Sequence, residues 1–370
     1  MTLEQFSFIV AAMFEERKIR KQLATITIPY LEQDVLTAAA VMSLTVDGRS
    51  VHLGLRFHFP LIEAEREHLF AAIRQSLSDY HVTITLDIQI LRHQCQPHIP
   101  LLPAIKNIIA ISSGKGGVGK STTAVNLALA LKQAGARVGL LDADIYGPNQ
   151  PHMLGIKGEP EIIDEKLMVP IERYGLQTIS FGNLISPDTP AVWRGPMVTK
   201  ALQQLVFQTR WDKLDYLLID MPPGTGDIQL TLAKQVPISG VVVITTPQDI
   251  ALIDARKGLE MFRKSSVNLL GIIENMSSFQ CTHCGEHTPL FGEVGGDHLA
   301  KATGVPLLGK VPLVMDIRRD VDHGMPTVEA TPESLLAKNY QDIAMRIAAT
   351  LSLTAVVPQI GKKEDVNKVR

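Results

Sequence analysis

The hydrophobic positions of this chain follow two regimes that meet near residue 96. Beyond it, continuous apolar, β-branched runs occur at Ile108 to Ile111, Val138 to Leu141, Tyr216 to Ile219, Val241 to Ile244 and Leu269 to Ile273. Continuity rather than alternation marks strands covered on both faces. Helical spacing over Ser121 to Ala134, Asp227 to Gln235 and Ala251 to Lys264 supplies the crossovers. This alternation predicts an α/β fold, a mostly parallel sheet with helices on both faces. Before residue 96 the pattern is different: alternation over Ser50 to Phe57, helical spacing from Ile62 to Leu77 and a strand-like Val82 to Leu86 predict a small α+β module. Gln96 to Pro103 holds three prolines and predicts an extended, stiff connection. The expected layout is a small domain over 1–95, a linker over 96–104, the main domain over 105–352 and a polar tail over 353–370.

Composition narrows the function classes. The chain has 370 residues, 45% hydrophobic, with a net charge of -2, enough for a large core and without a global pull toward nucleic acid or anionic lipid. No uncharged run approaches the roughly 18 to 20 residues of a membrane-spanning helix. The apolar opening Phe6 to Phe14 has no basic residue before it and runs into Glu15-Glu16-Arg17-Lys18, an amphipathic helix start rather than a signal peptide. Three cysteines argue against a disulfide framework. Cytoplasmic residence is the expectation, with neither nucleic acid nor membrane as a partner.

Candidate chemistry begins at Gly114 to Ser121, GKGGVGKS, which follows an apolar strand and opens a helical segment. Gly114, Gly119, Lys120 and Ser121 fit the phosphate-binding loop template, in which backbone N–H groups surround phosphates, lysine reaches the β/γ oxygens and a hydroxyl meets Mg²⁺. The nucleotide cradle is accordingly Gly114, Lys115, Gly116, Gly117, Val118, Gly119, Lys120, Ser121 and Thr122, on a P-loop NTPase fold. Asp142, Asp144 and Asp220 end strands, where open α/β sheets bind ligands. Asp220 suits Mg²⁺ together with Ser121, and Asp144 suits orienting the attacking water; an N-cap of the following helix is the bland alternative for Asp142. Gly224, in Met221-Pro222-Pro223-Gly224-Thr225-Gly226-Asp227, is either a sensor of the γ-phosphate or a rigid turn. The guanine-specific Asn-Lys-x-Asp motif does not occur, which favours ATP, with Asn275 as an adenine contact. Pro312 to Asp316 either lines the adenosine pocket or is a strand-helix turn. Cys281-Thr282-His283-Cys284 lets two sulfurs face one metal centre. Spacing leaves zinc, held through four sulfurs of two chains or with His283 or His287 completing a site in one chain, an iron-sulfur cluster and a redox disulfide all open. His93, His98 and His152 have no ligand partners at suitable spacing and are expected at the surface or in loops. Trp193, before a helix, is either a dimer-face residue or simply buried.

GKGGVGKS, LDADIYGPN, LLIDMPPGTGD and IIENMSSFQCTHCG, in this order and spacing, resemble the Mrp/ApbC/NBP35 iron-sulfur cluster carrier ATPases of the deviant Walker A group, over about residues 100 to 350. The first 95 residues resemble the MIP18-like domain of many bacterial members. The resemblance implies a homodimer that binds and hydrolyses ATP, with Lys115 reaching the partner's nucleotide and Lys115, Lys120 and Asp144 as catalytic residues. It also implies a 4Fe-4S cluster bridged between two subunits by Cys281 and Cys284 of each and handed to apo iron-sulfur proteins. Two competitors share the P-loop. A spatial organiser like MinD or ParA leaves the cysteines unexplained and would call for an amphipathic or basic surface. An electron-transfer ATPase like nitrogenase iron protein uses cysteines that lie apart in sequence.

Overall fold

Each of the five apolar runs is a strand in the computed structural model, which describes residues 14–28, 30–93, 95–96, 99–164, 166–183, 195–281, 283–293 and 295–357. The expectations for Phe6 to Met13, His98, Trp193 and residues 358–370 fall outside these residues. One nine-stranded sheet runs in the order Ile171–Arg173, Leu176–Ser180, Val138–Asp142, Leu214–Asp220, Ile105–Ser113, Gly240–Thr245 and Leu269–Gln280. Both Leu307–Leu313 and the short His287–Thr288 then pair with Leu269–Gln280. Pairing is parallel except at Ile171–Arg173 and His287–Thr288.

The continuous apolar runs follow from this two-sided cover, because successive side chains enter opposite cores. Ile109, Ile111, Tyr216 and Leu218 belong to the core shared with helices Lys120–Gln133 and Leu335–Ser352. Ile108, Ala110, Leu217 and Ile219 belong to the core of helices Gly195–Phe207, Asp227–Gln235 and Asp249–Lys264. Strand Ile105–Ser113 lies between Leu214–Asp220 and Gly240–Thr245, so its C-terminal end opens into the crevice where such sheets bind ligands.

The N-terminal module pairs Ala40–Asp47 antiparallel and His81–Ile88 parallel with Ser50–Phe57, helix Glu63–Ser76 making the crossover. Phe57 and Phe59, both fully buried, meet edge to face at 5.4 Å. Its core is continuous with that of the P-loop helix.

The junction between the two units is stitched rather than a simple spacer. The His93 N–H donates to Asn107 Oδ1 at 3.0 Å, Asn107 Nδ2 donates to the Leu91 carbonyl at 2.8 Å, and the Val357 N–H donates to the Arg92 carbonyl at 3.0 Å. Arg92 reaches the carbonyls of Leu102, Pro103 and Ile105, and Gln96 Nε2 donates to the Ala233 carbonyl at 2.5 Å. His93 is therefore buried, correcting its expected surface position; its ring faces the Thr354 carbonyl at 3.2 Å and burial lowers its pKa. His152 is exposed in a short helix, as expected.

Beside this seam Asp215, largely buried, accepts from Lys106 at 2.7 Å and from the Arg137 backbone N–H at 2.9 Å, with the Arg137 guanidinium at 3.3 Å. Burial alone would raise its pKa, but Arg137 and Lys106 outweigh it and hold the carboxyl below its usual value of 3.8. The unfolded chain then binds this proton more tightly than the folded one. The stabilisation is full above the unfolded value and fades as pH falls through the folded one. Asp215→Asn is expected to cost about 1 kcal/mol at pH 7, after allowing for the exposed ends of both cations, with the cost shrinking below about pH 4. Denaturant melts of both proteins across pH 3 to 7 check this.

Candidate functional site

The P-loop turns on two glycines in the left-handed region, Gly117 at φ +78° and Gly119 at φ +82°, the latter capping helix Lys120–Gln133. The free N–H groups of that helix start and its dipole favour an anion within the loop. Each glycine meets a different constraint. A Cβ on Gly114 would lie 2.3 to 2.6 Å from backbone atoms of Asp254 and Ala255, whereas one on Gly116 meets nothing within 4 Å. Gly114→Ala should therefore displace the loop or the helix behind it, at about 2 kcal/mol or more, while Gly116→Ala folds normally and shows any loss only in nucleotide binding. Thermal melting beside a nucleotide titration separates the two; equal melting of both variants would contradict the packing argument.

The two lysines of the loop are placed differently. Lys120 is buried and its ammonium lies 2.5 Å from Asp220 Oδ1 and 3.5 Å from Ser121 Oγ. Lys115 is half-exposed, its carbonyl held by Ser113 Oγ at 2.9 Å, and no acidic side chain among the described residues pairs with it. The two lysines thus differ in burial and in pairing.

Gln150, which the sequence analysis missed, closes this cluster. Its Nε2 donates to Asp220 Oδ2 at 2.8 Å and to the Ser121 carbonyl at 3.0 Å, while its Oε1 is buried without a hydrogen-bond partner. Its one sequence signal is its place just after the Asp142 to Asn149 string. A hydroxyl, a buried carboxylate and an orphaned carbonyl oxygen form an all-oxygen set suited to Mg²⁺ and its waters.

Asp142 is fully buried and its pKa is pushed up to about 7 by burial and by Asp220. It accepts the N–H groups of Asp144 and Gln150 at 3.1 Å each and the Ser180 hydroxyl at 3.0 Å. The N-cap of the following helix Gln150–Met153 is Asn149, so Asp142 is not its N-cap; the Asp142 carboxylate takes the Gln150 N–H from eight residues away. Asp144 is 9% exposed; burial raises its pKa and the nearby Lys120 opposes the rise. Gly224, at φ +102°, donates its N–H to the Ser113 carbonyl at 2.9 Å, docking the segment after Asp220 on the loop. Thr122 lies in the first turn of the loop helix and offers its carbonyl to Asn126 Nδ2 at 2.9 Å.

Strand Leu269–Gln280 links this site to the cysteines. Asn275, 8% exposed, donates its Nδ2 to the Val118 carbonyl at 2.8 Å and fills the space beside Gly119. The amide expected to contact adenine also bonds the P-loop backbone. Past Asn275 the strand pairs with His287–Thr288 to form a hairpin whose tip carries Cys281 and Cys284. The tip closes through the Gly285 N–H on the Cys281 carbonyl and the Cys281 N–H on the Glu286 carbonyl, both 2.9 Å, with Gly285 at φ +76°. N–H groups of Cys284 and His283 point at the Cys281 sulfur and lower its pKa, an arrangement that favours a thiolate ligand. Among the described residues no group of three His, Cys, Asp or Glu assembles for a metal, and His287 Nδ1 faces Ser278 Oγ at 3.4 Å. The alternative in which His283 or His287 completes zinc within one chain is therefore not assembled. Pro312 to Asp316 forms the expected strand-helix turn, from Leu307–Leu313 into helix Met315–Asp322.

A family model described as NUBPL iron-transfer P-loop NTPase matches residues 104–348. The chain is 56% identical over 264 residues to an iron-sulfur cluster carrier protein of Pseudomonas fragi, covering 71% of this chain and 92% of that one. It is 47% identical over 333 residues to an iron-sulfur cluster carrier protein of Salmonella typhimurium, covering 89% and 90%. Among solved structures, a nucleotide-binding protein from Archaeoglobus fulgidus in complex with ADP matches with TM-score 0.53 and 36% identity, over 60% of this chain and 87% of that one. The cell division ATPase MinD of Pyrococcus furiosus, at TM-score 0.50 and 24% identity over 65% and 98%, shares the fold.

Proposed function

The chain belongs to the NUBPL iron-transfer P-loop NTPase family, and on that premise we propose that it is an iron-sulfur cluster carrier that binds and hydrolyses ATP. One observation carries the reading: a hairpin presenting two thiols, one with N–H groups aimed at its sulfur, grows from the strand that clamps the P-loop. Two thiols are half of what a 4Fe-4S cluster requires. A second copy related by a twofold axis supplies the other Cys281 and Cys284, so the cargo sits between subunits and the working form is a homodimer. The recipients are apo iron-sulfur proteins, and the site of action is the cytoplasm. No helix among the described residues is long and apolar enough to cross a membrane.

Hydrolysis in this reading rests on positioning and charge. Lys120 moves from Asp220 toward the β/γ-phosphates, and Ser121 and Asp220, with Gln150 beside them, would hold Mg²⁺, which would supply neutralisation of phosphate charge. Asp144 aligns the water, Gly224 gives up the Ser113 carbonyl to meet the γ-phosphate, and Lys115 acts across the dimer. Its test is transfer. Protein reconstituted anaerobically with iron and sulfide is mixed with an apo 4Fe-4S enzyme whose activity reports loading. Activation of the enzyme at the expense of the carrier's absorbance is expected. Zinc in place of iron, or a cluster that cycles redox but never leaves, would overturn the proposal in favour of a structural or electron-transfer role.

A further inference from the structure

The N-terminal module encloses a cavity of about 340 Å³, lined by neither the P-loop nor the cysteine hairpin. That volume lies within the range of small-ligand sites. Ile28, at the end of strand Thr27–Ile28, forms one apolar wall. Helix Glu63–Ser76 forms the other with Glu65, Leu69 and Ala72, whose spacing of four and three residues puts them on one helix face. Tyr30 completes the lining. It is 8% exposed, and its buried Oη has no hydrogen-bond partner among the described residues, so the phenol bears a desolvation penalty that nothing in the chain offsets. The charge around it is also unbalanced. Burial, then Glu65 and Asp342 of helix Leu335–Ser352, raise the Tyr30 pKa, with Arg346 opposing them. Burial and then Glu65 raise the Asp342 pKa too, again against Arg346. Two carboxylates thus repel each other beside an unsatisfied phenol at the mouth of an apolar space.

We propose that this cavity is a binding site for a small primary amine, its alkyl body against Ile28 and Leu69 and its ammonium between Tyr30 Oη and the Glu65 carboxylate. An ammonium carries three N–H donors and no acceptor. In one placement it satisfies the phenol oxygen, pairs with Glu65 and relieves the repulsion between Glu65 and Asp342. A carboxylate or phosphate ligand would do the reverse, bringing a third negative charge to the same place. An uncharged ligand would fill the apolar part and leave the imbalance standing. His68 lines the same cavity, but from an exposed position where water screens its ring. The site takes neither the nucleotide nor the cargo of the carrier reading, and it rests on no part of that reading.

The test titrates the full-length, metal-free protein with n-hexylamine by calorimetry, with 1-hexanol and hexanoate as compounds of the same alkyl body. Saturable one-to-one binding of hexylamine with a Kd of about 1 mM or tighter is expected. Hexanol should bind about tenfold more weakly and hexanoate not at all. Glu65→Gln should weaken hexylamine about tenfold, and Tyr30→Phe about fivefold. Tyr30→Phe has a second readout. Because the hydroxyl it removes has no partner, the variant without amine should melt at or above the temperature of the parent. Ala72→Leu, which fills the cavity, should abolish binding; if it fails to fold, Glu65→Gln and Tyr30→Phe decide. Absence of saturable one-to-one binding overturns the proposal, as does hexanol or hexanoate binding as tightly as hexylamine. Unchanged affinity in Glu65→Gln, in Tyr30→Phe or in a folded Ala72→Leu protein places the amine elsewhere and overturns it too. So does a Tyr30→Phe protein that melts well below the parent, since the phenol would then already be partnered within the chain.

Discussion

Replacing Lys115 by alanine lowers the ATP hydrolysis rate by about a thousandfold, roughly 4 kcal/mol of transition-state stabilisation, and changes nucleotide affinity by less than about tenfold. The asymmetry between the two loop lysines is the reason. Lys120 is buried against Asp220, so its removal leaves an uncompensated carboxylate in the core and damages folding along with binding. Lys115 is half-exposed with no described acidic partner, so its removal disturbs little in the resting chain. What is lost is a charge delivered to the γ-phosphate as the bond breaks, the role that cationic groups supplied from outside a site play in related phosphoryl transfers. Mixed dimers sharpen the measurement. If Lys115 acts across the subunit boundary, pairing the alanine variant with a chain that cannot bind nucleotide through its own loop restores one functional site; if it acts within its own chain, the mixture stays inactive. Full activity in the alanine variant alone would remove Lys115 from the mechanism.

The second large effect is at the hairpin. Cys281→Ala together with Cys284→Ala should reduce reconstituted iron and sulfide from about two of each per chain to background, because alanine leaves no thiolate at the tip. Nucleotide binding and melting temperature should be nearly unchanged. The tip is held by backbone bonds, Cys284 is exposed, and the P-loop is touched by Asn275 rather than by either thiol. Either single replacement should fail too, since two chains then offer two sulfurs in place of four. Iron retained by the double variant would move the cargo elsewhere, and Cys95, half-buried at the interdomain seam with its pKa raised by burial, would become the first position to examine.

The architecture was legible where burial writes itself into composition. Strands such as Tyr216 to Ile219, apolar on both faces, stood out because each residue must satisfy one of two cores. Leu307–Leu313 did not, because Gly309 and Lys310 interrupt it: the glycine admits Ile343 of the terminal helix, whose side chain would lie 2.5 Å from a Cβ, and the lysine pairs with Asp297. Ala40–Asp47, exposed on much of its length, carried too weak an alternation to read. Within the site the loop, Asp144, Asp220 and the paired cysteines were legible as local strings. Gln150 and the contact of Asn275 with Val118 were not. Their meaning lies in contacts with Asp220 and Val118, 70 and 157 residues away in sequence, which only the folded sheet brings together.

The stitched seam constrains how the molecule can be divided. Asn107 lies fully buried on the strand that leads into the P-loop, and it spends its carbonyl oxygen on His93 and one amide hydrogen on Leu91. A nucleotide-binding unit severed at residue 96 keeps only the weaker contact from Asn107 to the Asp215 carbonyl, at 3.3 Å. The remaining polar atoms would face either water, opening the core beside the loop strand, or nothing at all. A self-sufficient unit of that length would need an apolar side chain at this one position, so a single amide makes the small N-terminal module a structural dependency of the nucleotide-binding unit.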